Sequence, residues 1–466
     1  MNYLLPEKIV QSENVENGCS VLKHKPLQIG LGEKNCLAVA GKGFICFDFG
    51  KETHGGVRIL TSSAEGGIVK IRIRFGESLA ETYSDIGYKN STNDHSPRDF
   101  FCDICSLSDL TFGQTGFRFA RIDFIEAKQV KIKAIVAEEK ILNIDSRYVY
   151  KGDDELIERI FGAAKRTIDL CASGEYLWDG IKRDRLVWMG DIYPEMLALT
   201  TLYGRTEIVE KSLDFIKEAT PLPSFMNDMP TYSMWWIIVL YDYYRLIGCN
   251  DFLDKQIDYL EELVKVLNSN VGENGELNYD IFVDWPTRGD KDETTGTRCI
   301  NLAAAEKAAK ILKMYGKKTE YVCEMIEKLK KGSFEVESKK QVIGLKYYAL
   351  GEISDNEYEL LINGGAAGLS TFMSYFILTA IASRDKKLAA KIMKEYYGKM
   401  LDLGATTFWE DFDVSWAENT GKIDVLPVEG KVDIHGDFGA FCYVGYRHSL
   451  CHGWSSGVIK FIEENC

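Results

Sequence analysis

Gly152-Asp153-Asp154-Glu155-Leu156-Ile157-Glu158-Arg159-Ile160-Phe161 marks the point where the hydrophobic period of the chain changes. From here Ile157, Ile160, Phe161, Ala164, Ile168 and Cys171 recur at helical spacing, the pattern of a helix with one buried face. Upstream, from about Gly30 to Ile144, the period is two. It is clearest in Phe44-Ile45-Cys46-Phe47-Asp48-Phe49, Val69-Lys70-Ile71-Arg72-Ile73-Arg74 and Phe117-Arg118-Phe119-Ala120-Arg121-Ile122. Alternation broken by Gly-Gly and Gly-Lys turns predicts an antiparallel β-sandwich, with polar Thr82 to Ser96 as a long loop.

Downstream, helical patterns follow one another to the end. Tyr203-Gly204, Ile247-Gly248, Tyr315-Gly316 and Leu403-Gly404 put glycine after apolar helix ends, where a C-cap is expected. About eleven or twelve helices are predicted. Paired helices in that number point to an α/α barrel; a helical solenoid is the alternative, disfavoured because no short period repeats. Between about 421 and 447 alternation returns briefly (Ile423, Val425, Val428, Val432, Ile434), predicting a β-excursion before a last helix near Trp454 to Glu464. The predicted organisation is an N-terminal β-sandwich domain over 1–148 and a helical barrel domain over 149–466. A chain of 466 residues has room for both.

Composition narrows the function. A net charge of -14 would repel phosphate backbones and anionic lipid, so neither nucleic acid nor a membrane is an expected partner. Met1 to Glu7 has no basic or apolar leader pattern, and the apolar run Met234 to Tyr241 is too short to span a bilayer. The expected location is cytoplasmic. The 12 cysteines are scattered, which reads as reduced thiols, and Cys102-x-x-Cys105 has no second pair at zinc-ligand spacing. Neither a metal nor a cofactor is expected, and a homo-oligomer is compatible with the composition.

The densest chemistry lies in Leu177-Trp178-Asp179-Gly180-Ile181-Lys182-Arg183-Asp184-Arg185-Leu186-Val187-Trp188-Met189-Gly190-Asp191, running on to Glu195. Glycoside hydrolysis needs one carboxylic acid to protonate the leaving oxygen and a second carboxylate to activate water. Trp faces suit a pyranose ring. Singly, each residue has a structural explanation: Asp191 as a helix N-cap, Asp179-Gly180 as a turn, Arg183 to Arg185 as a solvated ion-pair run. Together they favour function. Acid-Trp pairs recur in Asp284-Trp285 and Trp409-Glu410, and His452 stands near Trp454. Trp235 and Trp236 read as core. The chain has no P-loop, no G-x-G-x-x-G between strand and helix, and no G-x-S-x-G elbow.

These segments resemble the bacterial α-L-rhamnosidases of glycoside hydrolase family seventy-eight. Lys182 to Asp191 aligns without a gap to the family's Arg-Asp-Glu-Arg-Leu-Gly-Trp-Thr-Gly-Asp, and Gly404 to Glu410 resembles its Gly-Ala-Thr-Thr-x-Trp-Glu. Phe47 to Gly50, Gly55 to Arg58 and Gly116 to Phe119 resemble the β-domain preceding its barrel. The resemblance implies an (α/α)6 barrel of six helical hairpins and an exo-acting, inverting glycosidase removing a terminal sugar from a carbohydrate or rhamnoside substrate. It implies Glu410 as general base and Asp184, in place of the family's Glu, as general acid. A one-residue offset would instead leave Glu195 as the acid. Asp179, Arg183, Trp188, Asp191, Asp284, Trp285, Trp409 and His452 would then shape the sugar pocket. Two rivals keep the scaffold: a polysaccharide lyase or unsaturated-uronide hydrolase, and a non-catalytic sugar-binding protein.

Overall fold

A computed structural model describes residues 2–466. Its first part is a single antiparallel sheet of six strands: β1 (Asn2–Leu4), β2 (Lys8–Glu16), β3 (Leu37–Ala64), β4 (Ile68–Gly76), β5 (Asp99–Cys105) and β6 (Ser108–Glu139). The order is β2-β3-β6-β4-β5, with β1 on β6. β3 and β6 are long enough to pair more than once. Phe44 to Asp48 lies against Phe119 to Asp123, whereas Val57 has both Phe112 and Ala137 as partners. Alternate residues, among them Ile45, Phe47, Ile71, Ile73, Phe75 and Ile122, point into one buried core. The stretch predicted as a loop opens on a short helix, α1 (Leu79–Tyr83), capped by the Ser78 side chain.

Thirteen further α-helices run through the rest of the described residues. They are α2 (Glu155–Cys171), α3 (Ile192–Tyr203), α4 (Glu207–Ala219), α5 (Pro230–Ile247), α6 (Asn250–Leu253), α7 (Ile257–Ser269) and α8 (Glu293–Met314). Then come α9 (Glu320–Lys330), α10 (Lys340–Leu350), α11 (Asp355–Ile362), α12 (Ser374–Ala382), α13 (Lys386–Asp402) and α14 (Val458–Asn465). The period change seen in the sequence is the start of α2, where Asp154 accepts the Leu156 and Ile157 N–H groups. α5 is buried on nearly all sides, with Pro230 in its first turn and Gly248 at φ 76° ending it. Contacts run from α3 to α5, α8, α10, α12 and α14, and from α14 back to α3. No described helix is long and apolar enough to cross a membrane, and all 12 cysteines are unpaired.

The segment 421–447 departs from expectation. It forms no strand, only an isolated bridge between Thr420 and Val432 and 3-10 turns at Phe441–Tyr443 and Gly445–Arg447. Its alternation does not separate two faces: Ile423 and Ile434 are buried, but Val425 and Val428 are exposed. Glycines at 421, 430, 436 and 439 and Pro427 interrupt any ladder.

Candidate active site

The segment between α2 and α3 is folded into a tight loop by its own polar groups. Asp179 N–H donates to Leu186 O at 3.2 Å, and Leu186 N–H donates to the Asp179 carboxylate at 3.0 Å. At the tip, Asp184 and Arg185 both adopt left-handed backbone (φ 54° and 53°), a conformation costing non-glycine residues roughly 1–3 kcal/mol each. Such strain persists only where surrounding contacts hold it. Arg183 supplies them: it is buried, donates from Nε to Arg447 O at 2.7 Å, and binds Asp184 through Nη1 at 2.8 Å and Glu410 through Nη2. The expected solvated ion pair is therefore an interior one. Asp191 precedes α3 but makes no cap hydrogen bond; its carboxylate lines the cavity, where the Tyr232 hydroxyl donates to it at 3.5 Å.

Asp179, Asp184, Asp191, Glu410 and His452 meet at one cavity of about 120 Å3. His452 Nε2 stands 3.8 Å from Asp179, 3.9 Å from Asp191 and 3.8 Å from Glu410. Trp188, Trp285 and Trp454 form apolar walls, completed by Met229, Tyr232 and Cys442. Glu410 is fixed on both sides: Ser449 N–H donates to Oε2 at 3.1 Å, and Trp454 Nε1 donates to its backbone carbonyl at 2.8 Å. Burial, reinforced by the neighbouring acids, pushes the Asp179 and Asp191 carboxyls well above the usual carboxylate range. Burial and the Arg183 charge hold His452 well below the usual imidazole range, so the ring is neutral near pH 7.

Other expected residues lie elsewhere. Glu195 sits in the first turn of α3, buried beneath the cavity lining and against Gly453, where a Cβ would come within 1.8 Å of its Oε1. Burial, with Asp191 and Asp179 nearby, raises its pKa well above normal. Asp284 caps the turn Trp285–Thr287 and accepts from Ser370 at 3.0 Å; Trp409 is buried in the helical core beside Phe412. Met229, Tyr232 and Cys442 were not singled out from sequence, since they come from the α5 entry and an irregular loop without a local motif. Trp454, two residues past His452, was the one signal that pointed to its wall.

A second buried cluster stands directly behind this loop. Lys182 Nζ reaches Glu77 at 2.9 Å, Glu81 and His435 at 3.4 Å, and the carbonyls of Tyr446 and His448 at 2.8 and 2.5 Å. The glutamates come from the end of the sheet and from α1, so this lysine fastens the loop to the β part of the chain. Glu77, Glu81 and His435 have ligand atoms within 4.8 Å of one another, but the ammonium already serves all three.

Residues 147–330 match the family model of the bacterial alpha-L-rhamnosidase 6 hairpin glycosidase domain. The chain resembles bacterial α-L-rhamnosidases. The likeness extends to structure. A rhamnosidase from Klebsiella oxytoca with rhamnose bound superposes at a TM-score of 0.74 and 17% identity, covering 99% of this chain and 95% of that one. A GH78 family rhamnosidase of Bacillus sp. GL1 gives 0.72 and 19%, covering 95% of this chain. The chain spans 48% of that longer enzyme. An α-L-rhamnosidase of Streptomyces avermitilis complexed with L-rhamnose gives 0.61 and 13%, with 99% and 43% covered. At these identities the likeness establishes a rhamnosidase fold. No curated protein sequence matches the chain.

Proposed function

We propose that the chain is an exo-acting, inverting glycoside hydrolase of the α-L-rhamnosidase type, with Asp184 as general acid and Glu410 as general base. The observation that carries this reading is Arg183, whose one guanidinium holds both carboxylates on the wall of a small cavity. Inverting enzymes work with two carboxyl groups roughly 6.5–9.5 Å apart and a water between them, and Arg183 sets this pair on one cavity wall. At roughly 10–15 Å3 per water-sized occupant, about 120 Å3 is on the order of ten non-hydrogen atoms, close to one monosaccharide. That size favours removal of a single terminal sugar. Rhamnose in the Klebsiella and Streptomyces structures supports the choice of sugar.

In this reading the Asp184 proton passes to the glycosidic oxygen as the bond from that oxygen to the anomeric carbon breaks. Water attacks the anomeric carbon from the opposite face and gives its proton to Glu410. Asp179 and Asp191 hydrogen-bond to sugar hydroxyls, and neutral His452 adds a further polar contact. Glu195 is the weaker choice of acid, because it does not reach the cavity wall. A pocket built on paired acids favours hydrolysis over lysis, which needs a neutralised uronate. We read 1–148 as a β-sandwich domain and 149–466 as an (α/α)6 barrel, supported by the repeated pairing of β3 with β6 and the cyclic contacts of α3 to α14. Twelve unpaired cysteines fit a cytoplasmic location.

The test is a panel of 4-nitrophenyl glycosides with the first-formed sugar anomer followed by proton NMR. The expected result is release from the α-L-rhamnoside with β-L-rhamnose appearing first. The α-anomer first, or no release from any α-L-rhamnoside, would overturn the reading.

A further inference from the structure

An open groove of about 480 Å3 adjoins the sugar cavity, and Asp184 is the one residue common to both linings. In a glycosidase the leaving group departs on the side of the general acid. If Asp184 is that acid, as proposed above, the groove stands where the leaving group must go. One side is the 95–97 segment with Gln114, from the β part; the other is Trp178 and Arg185, from the strained loop. Beside the groove Arg447 pairs with Asp94 at 2.6 Å, and within its lining His95 Nε2 stands 3.4 Å from the Asp184 carboxylate.

Arg185 sets the chemistry of this groove. Its guanidinium lies over the Trp178 ring at 5.3 Å and donates to Gln114 O at 3.1 Å and His95 O at 2.6 Å. Neighbouring Arg183 and Arg447 both pair with acids, but Arg185 has no acidic partner within 4.0 Å among the described residues. An arginine carries five N–H donors. Two are committed here, to carbonyls that orient the fork without neutralising it. A partly buried cation held in a fixed pose, with donors to spare, matches a carboxylate, which takes two parallel N–H groups from an arginine.

We propose that the groove is a leaving-group subsite for a carboxylate-bearing sugar, a hexuronate, with Arg185 as the receptor for its carboxylate. The Trp178 edge and the Pro97 ring flank the sugar, and Arg185 selects an acidic unit over its neutral counterpart.

Two disaccharide substrates that differ only at C6 of the leaving sugar, carboxylate against hydroxymethyl, test this. In the wild type, kcat/KM for the uronide exceeds that for the neutral disaccharide by at least about tenfold. Arg185→Gln brings the ratio close to one, and Arg185→Lys keeps part of it. A ratio near one in the wild type, or a ratio unchanged in Arg185→Gln, overturns the proposal. Titration of free D-glucuronate and D-glucose into the full chain by calorimetry gives a readout that needs no turnover. Glucuronate is expected to bind about tenfold or more tightly than glucose, with the advantage lost in Arg185→Gln; equal binding, or none, overturns the subsite. Glucuronate selectivity without release from any α-L-rhamnoside would sink the hydrolase reading alone. Rhamnoside turnover without carboxylate preference would sink this proposal alone.

Discussion

Two buried acidic clusters lie back to back across the Lys182–Arg183 peptide, and they differ in how their charges are met. Behind the loop, Lys182 faces Glu77 and Glu81; Leu450 N–H donates to Glu77 at 2.6 Å, and Glu77 N–H to Glu81 at 2.8 Å. No side-chain atom of Lys182, Glu77, Glu81 or His435 is buried without a partner. In front, Asp179, Asp184, Asp191 and Glu410 surround a cavity with Arg183 as the cation, and Glu195 Oε1 and His452 Nδ1 are buried unpartnered. Buried groups that are fully met describe architecture; acids crowded round an open space describe chemistry. The same dipeptide serves both, so the β part of the chain braces the loop that carries Asp184.

The contrast can be broken most forcefully at Lys182. Lys182→Met leaves two carboxylates buried without their cation, and urea denaturation should show a loss of about 3–5 kcal/mol. A loss below about 1 kcal/mol would mean that the rear cluster is not a structural lock. Asp284 is an intermediate case, hydrogen-bonded by Thr287 and Ser370 but lacking a contacting cation, and burial raises it to about 6 from 3.8. Its carboxyl holds a proton more tightly folded than unfolded, so its stabilising contribution is complete below 3.8 and is lost as the pH rises through about 6. Asp284→Asn should therefore gain on the wild type between pH 4 and pH 7, by at most about 3 kcal/mol. A difference in stability that is flat with pH would contradict the assignment. The smallest expected effect is in front. Asp191→Asn relieves crowding among acids and should leave stability equal or raise it by roughly 1 kcal/mol, while turnover falls by about 10²-fold or more. Destabilisation like that of Lys182→Met would erase the distinction.

The sequence shows the two architectures because each is written in a local period: two up to Ile144, helical from Asp154, where a capping aspartate stands. The carboxylates 179, 184, 191 and 410 were legible as acids set beside tryptophan in inter-helix segments. Several placements were not. The 421–447 alternation looks like strand because periodicity alone does not show that no neighbouring strand is present to pair with it. Trp409 shares a dipeptide with Glu410, yet the backbone turns it into the core beside Phe412. The Glu77–Glu81–Lys182 lock joins residues about a hundred positions apart with no pattern linking them, and Tyr232 reaches the cavity from the first turn of an otherwise core helix.

The central claim is that Glu410 activates water in the front cavity. It is tested most directly by kcat for 4-nitrophenyl α-L-rhamnoside in Glu410→Gln against the wild type. Glutamine keeps the shape and can accept from Ser449 N–H, although not from Arg183 as well, and it cannot take a proton, so kcat should fall by roughly 10² to 10⁴ while KM changes little. A kcat within about threefold of the wild type would contradict the account.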